Sequence, residues 1–260
     1  MTEFGLFGDI HVEIGDEYVA TVEIRRGPNN FFDIGMIRSI CEALEALDAE
    51  PRCRAIVLCS EGKHFCAGAN FGNDDQGLQD GSGRHLYDEA VRLFSTRTPA
   101  VAAVQGAAVG GGLGLALMPD FRVASPESRF SANFARLGFH QGFGLSVTLP
   151  DLVGQQRAME LLYVGRRVPG EEAFAMGLCD RLVPADRIRN EAIAFATEIA
   201  ISGPLAVTSI RRTLRGGLAE RIRVATDREK AEQDRLQATE DFEEGVKAMA
   251  DRRPPDFKGR

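Results

Sequence analysis

Between Thr98 and Ser125 the chain reads TPAVAAVQGAAVGGGLGLALMPDFRVAS, and this stretch constrains the fold more than any other. After Pro99 comes an apolar run, VAAVQ, that suits a buried strand. Three consecutive glycines, Gly110, Gly111 and Gly112, then open a helix, and FRVAS is a further short strand. The segment from Pro99 to Met118 is broken by glycines and by Gln105. It therefore reads as a buried strand–turn–helix, since a membrane span needs a more continuous apolar run. Its glycines lack the GxGxxG spacing of a dinucleotide-binding turn. The Lys-Ser/Thr of a phosphate-binding P-loop is also missing, and neither GxSxG nor HExxH occurs anywhere.

The same alternation extends to both sides. IHVEI (10–14) and YVATVEI (18–24) alternate like the strands of a hairpin joined by Gly15-Asp16-Glu17. From Asp33 to Asp48 the residues Ile34, Ile37, Cys41, Leu44 and Leu47 fall at helical spacing. AIVLCS (55–60) suits a buried parallel strand and feeds the turn Cys66-Ala67-Gly68-Ala69. Residues 70–84 are polar and glycine-rich, which predicts a mobile loop or lid, and a helix follows from about His85 to Ser95. Repeated strand, turn and helix imply an α/β fold with covered sheets. From about Pro184 the strands stop, and 187–202, 204–215 and 218–250 read as helices. We divide the chain into a core, 1–195, and a helical region, 196–260.

A chain of 260 residues can bury a substantial core. The net charge of −7 argues against general binding of nucleic acid or anionic membrane, though a few local arginines suffice to hold a nucleotide. The five cysteines form no CxxC pair, so neither a zinc cage nor a disulfide framework is expected; reduced thiols in a cytoplasm fit better. The N-terminus begins with acid and has no basic segment before an apolar run, unlike a signal peptide.

FCAGAN (Phe65–Asn70), AVGGGLG and the tail TEDFEEGVKAMADRRPPDFKG (239–259) together resemble the crotonase (enoyl-CoA hydratase/isomerase) superfamily, and the likeness spans nearly the whole chain. The resemblance implies a spiral of successive ββα turns with a C-terminal helical region that packs in trimers, commonly paired into hexamers. It implies an acyl-CoA substrate, coenzyme A entering as part of the thioester, with no separate cofactor and no metal. The N–H groups of Ala69 and Gly111 would form an oxyanion hole for the thioester oxygen, a device that stabilises a developing enolate through preorganised donors. Ala67, Gly68, Asn70 and Gly110 would line the same site, the first segment also touching the adenine. Arg252 occupies a position where the family places a basic residue for CoA. Arg253 and Lys258 are further candidates, and a solvated terminal cluster competes with all three. Apolar residues of the tail, Leu236, Phe242, Val246 and Met249, would supply the assembly surface.

The departures matter as much. Where family hydratases carry two glutamates this chain has Gly114 and Phe134, and Gly142 stands where some relatives place a working aspartate. Phe134 would floor an apolar acyl pocket. Substitute acid–base groups are Tyr87, on the helix expected to line that pocket, and His140 in GFHQGFG; for each, a purely structural role competes. His85 and Asp74-Asp75 would reach the pocket only if their loop folds inward. The implied function is acyl-CoA chemistry through a stabilised enolate without standard hydration: isomerisation, decarboxylation or C–C hydrolysis. A silent acyl-CoA binder or assembly partner is the alternative.

Overall fold

A computed structural model describes residues 2–70 and 77–260. Ten strands are present among them: β1 Thr2–Phe7, β2 Ile10–Ile14, β3 Val19–Ile24, β4 Ala55–Ser60, β5 Ala100–Val104, β6 Ala107–Val109, β7 Phe121–Ala124, β8 Arg129–Ser131, β9 Val168–Pro169 and β10 Arg181–Leu182. The helices are α1 Ile34–Asp48, α2 Leu86–Phe94, α3 Gly111–Leu117, α4 Leu145–Val153, α5 Gln155–Val164, α6 Gly170–Ala175, α7 Ile188–Ala200, α8 Pro204–Arg215, α9 Leu218–Gln237 and α10 Glu240–Asp251. Local chemistry sets several of their ends. Asp33 caps α1 by accepting from the Met36 N–H, and the His85 side chain caps α2.

The larger sheet runs β1-β2-β3-β4-β5-β7-β10, antiparallel through β3 and parallel from β3 onward. Strands β3 and β4 are buried along their whole length because both faces are covered. One face meets α1 and the main core. The other receives α7, whose inward residues Ile188, Ala192, Ala196 and Ala200 recur every four positions against Val57, Val101 and Val123. After each central strand the chain steps across to a second layer. There β6, β8 and β9 form a small sheet, and isolated bridges join Phe32 to Ala69 and Cys66 to Ala108. This is the expected spiral, and its second layer carries the glycine-rich segments.

Four details differ from the sequence reading. The edge strand β1 went unread. The helix expected over 218–250 breaks at Ala238, where Thr239 accepts from the Phe242 N–H and acidic residues begin α10. The boundary at 195 falls inside α7, whose buried face continues to Ala200, and α9 buries Ile222, Thr226, Glu229 and Gln233 against the rest of the chain. Of the expected assembly stripe, Leu236, Phe242 and Val246 pack on the chain's own core. Met249 of that stripe is exposed, and α8 adds three more exposed apolar side chains, Leu205, Ile210 and Leu214, at 87%, 59% and 80%.

Candidate active site

A cavity of about 290 Å³ opens where the second layer meets α2, α9 and α10. Both glycine-rich segments line it: Ala67, Gly68, Ala69 and Asn70 from the turn after β4, and Gly110 and Gly111 at the head of α3. They are laced together by Cys66 N–H to Ala107 O and Val109 N–H to Cys66 O, each 3.1 Å. The approach is close enough to require glycine. Gly68 has φ +87°, and a Cβ there would lie 2.7 Å from the Val109 carbonyl oxygen. Neither the Ala69 nor the Gly111 N–H finds an acceptor among the described residues, and both residues face the cavity. Unpaired N–H groups in a partly dry pocket are costly unless a ligand oxygen completes them.

The rest of the wall is mainly aromatic. Phe32 and Phe143 stack with centroids 5.7 Å apart, and Phe134, Phe139 and Phe242 form a second chain of contacts at 5.4 and 5.2 Å. Phe134 lines the cavity as expected. Gly114 does not: a Cβ there would fall 2.7 Å from Phe143 Cβ, so the Phe143 ring occupies the space a side chain at 114 would need. No carboxylate lines the cavity among the described residues. Asp74 and Asp75 lie outside the described residues.

Polar groups gather along α2 and α9. The Tyr87 hydroxyl donates to Gln233 Oε1 at 2.7 Å, and Gln233 Nε2 donates to the His140 carbonyl at 2.9 Å. This relay pins the loop that carries Gly142, which is glycine because a Cβ would overlap the Tyr87 hydroxyl. Burial pushes the Tyr87 phenol well above its usual range, so it serves as a hydrogen-bond donor at neutral pH. One turn earlier on α9, Glu229 accepts from the Gly144 and Ser146 N–H groups at 2.9 and 3.0 Å, capping α4. Burial raises its carboxyl, and those donors pull the other way. His140 itself is not part of the cavity wall; its ring Nδ1 donates to the Gln141 carbonyl at 2.9 Å. What the site uses of His140 is its backbone.

His85, read as lying in or beside the polar loop, stands in the wall. Residues 77–84 are tied down by Ile34 N–H to Gly77 O and Leu86 N–H to Leu78 O, at 2.7 and 2.8 Å. Arg252 is exposed, two residues beyond the cavity-lining Ala250, and forms no ion pair among the described residues. Arg253 and Lys258 are engaged by Glu244 and Asp256.

The residues that sequence reasoning missed are Phe32, Phe143, Glu229, Gln233 and Gln237. Two of the three α9 residues, Glu229 and Gln233, had a faint signal: 222, 226, 229 and 233 share one helix face, but polar side chains hold three of those positions.

The family model for enoyl-CoA hydratase/isomerase matches residues 15–260. A Rhizobium meliloti (strain 1021) protein named "Probable enoyl-CoA hydratase" is 36% identical over 237 residues, covering 89% of this chain and 90% of its own. An enoyl-CoA isomerase/hydratase of Zymoseptoria tritici is 32% identical over 246 residues, covering 87% and 78%. Among solved structures, an enoyl-CoA hydratase/isomerase from Pseudoalteromonas atlantica T6c superposes with a TM-score of 0.85 at 28% identity, covering 96% of this chain and all of that one.

Proposed function

Since the chain belongs to the enoyl-CoA hydratase/isomerase family, the crotonase superfamily, we propose that it binds an acyl-CoA thioester in this cavity and stabilises the enolate of the acyl group. The thioester oxygen accepts from the Ala69 and Gly111 N–H groups. As the α-carbon becomes carbanionic, charge moves to that oxygen, and donors already in place act without reorganisation. The observation that carries the reading is the pair of unpaired N–H groups on adjoining cavity segments. The aromatic wall holds an apolar acyl chain and excludes water, which strengthens the same hydrogen bonds. Arg252, free of ion pairs beyond Ala250, suits the CoA phosphates, and α8 suits assembly into a trimer or hexamer.

The reaction on this reading is not hydration of the usual kind. Adding water across a double bond needs one group to activate water and another to deliver a proton, and each positioned group is worth about a hundred- to ten-thousandfold. Gly114 and Phe134 supply neither. Isomerisation with a single base, decarboxylation and C–C hydrolysis ask less of the side chains. Crotonyl-CoA hydration assayed at 25 °C is expected far below the ~10 per second ordinary for an enzyme; turnover at that rate refutes the reading of the wall. The same apolar wall favours a second reading, a binder without chemistry. Exchange of acyl-CoA α-protons with solvent deuterium separates them, because the binder gives affinity with no exchange.

A further inference from the structure

We infer that the corner between α2 and α9 recognises an oxo group on the acyl chain, through the His85 Nε2–H and the Gln237 amide; the inference rests on the acyl-CoA reading above. Besides Asn70 and Asn133, the polar side chains that line the mainly apolar cavity are His85, Tyr87, Gln233 and Gln237, all carried by α2, its cap and α9. Tyr87 and Gln233 are committed to each other and to the loop. His85 Nε2 and the Gln237 amide have no partner among the described residues. The tautomer of His85 follows from its place in the fold. Its Nδ1 accepts from the Tyr87 N–H at 3.1 Å as the cap of α2, and the backbone N–H of His85 donates to the Asp88 carboxylate at 3.2 Å. An acceptor nitrogen carries no proton, so the proton of the neutral ring sits on Nε2. Protonating Nδ1 would cost the cap.

The charged groups that act on this ring are Asp88 on its own helix and Lys230 and Asp234 on α9. Burial and Lys230 lower the imidazole pKa more than the two carboxylates raise it. The corner therefore offers neutral donors, which suit a carbonyl oxygen.

The test compares acetoacetyl-CoA with butyryl-CoA, which differ at C3 by a carbonyl in place of a methylene, by calorimetric titration of the full-length protein. Wild type is expected to bind acetoacetyl-CoA about three- to tenfold more tightly at about pH 7.5, the worth of one or two hydrogen bonds between neutral groups. His85→Asn keeps an excellent cap while withdrawing the ring, and should close most of the gap by weakening acetoacetyl-CoA binding more than butyryl-CoA binding. Gln237→Leu should narrow it and settles the matter if the first variant unfolds. Equal wild-type affinities or a gap untouched by both variants would each overturn this inference while leaving the thioester site standing. Failure of both esters to bind would overturn the acyl-CoA reading along with it.

Discussion

Gly142→Ala is expected to damage the protein through Tyr87, and the damage should be partly reversed by removing the tyrosine hydroxyl. A Cβ at 142 would overlap that hydroxyl and stand 2.7 Å from Gln233 Nε2 and 2.9 Å from Tyr87 Cζ, where ordinary contact begins near 3.4 Å. Tyr87 must swing away, and the 2.7 Å bond to Gln233 Oε1 breaks. Overpacking of this kind costs about 1–3 kcal/mol, and an unmade buried hydrogen bond about 1–3 kcal/mol more. The single variant should thus lose about 2–6 kcal/mol. Tyr87→Phe alone should lose about 1–3 kcal/mol. In the double variant the hydroxyl that collides is gone and its bond is already lost, so the total should fall short of the sum by at least about 1 kcal/mol. Urea midpoints measured at one protomer concentration with unchanged slopes give these numbers. Additivity within about 0.5 kcal/mol would refute the claim that Gly142 exists to accommodate Tyr87.

Gly111→Val should abolish acyl-CoA binding in a protein that still folds, because a Cβ there overlaps the Phe32 ring, with Cε1 at 2.6 Å, beside the proposed oxyanion hole; unchanged affinity by calorimetry would remove Gly111 from the site. Asp120 latches α8 to the core through Arg211 and Arg215 at 2.9 and 2.6 Å. Burial alone would raise its carboxyl, but the two guanidiniums bring it below the usual carboxylate range. A lowered native pKa stabilises above the unfolded value near 4 and is lost as the pH falls through the native one. Asp120→Asn should accordingly cost about 3–5 kcal/mol at pH 7 and flatten the acid limb of the thermal stability profile below pH 4; an unaltered profile would contradict the latch. If the proposed trimer or hexamer covers Leu205, Ile210 and Leu214, which α8 leaves exposed, sedimentation should report that assembly, and a concentration-independent monomer in analytical ultracentrifugation would exclude both.

The α/β class was legible because its strands are short apolar runs and its turns are marked by glycine, as in AIVLCS followed by Cys66-Ala67-Gly68-Ala69, whereas the spiral arrangement came from the family resemblance. The proposed backbone donors, Ala69 and Gly111, came from the family resemblance of FCAGAN and AVGGGLG, since a glycine-rich turn alone fits a plain strand–helix junction equally well. The opposite wall was not. Phe143 reaches Gly114 from a separate loop, and nothing in FHQGFG reveals which ring fills which space. Glu229 and Gln233 were hidden because hydrophobic periodicity registers only apolar faces, whereas α9 turns polar side chains inward to hold backbone groups. His140 drew notice as an imidazole, and its contribution is a carbonyl oxygen that every residue possesses.

The hydrogen bond between Tyr87 and Gln233 joins positions 146 residues apart, and this orders events during synthesis. A ribosome that has made everything through α7 has produced both donor segments and the covered sheet, yet one side of the cavity is still missing. Phe134, Leu137 and Phe139 remain uncovered until Phe242 and Val246 arrive with α10. Loop 139–146 has no clasp until α9 emerges. The acyl pocket is therefore among the last features to exist, and a chain cut before α9 should present a sticky aromatic face to its surroundings, with no weakened version of the site.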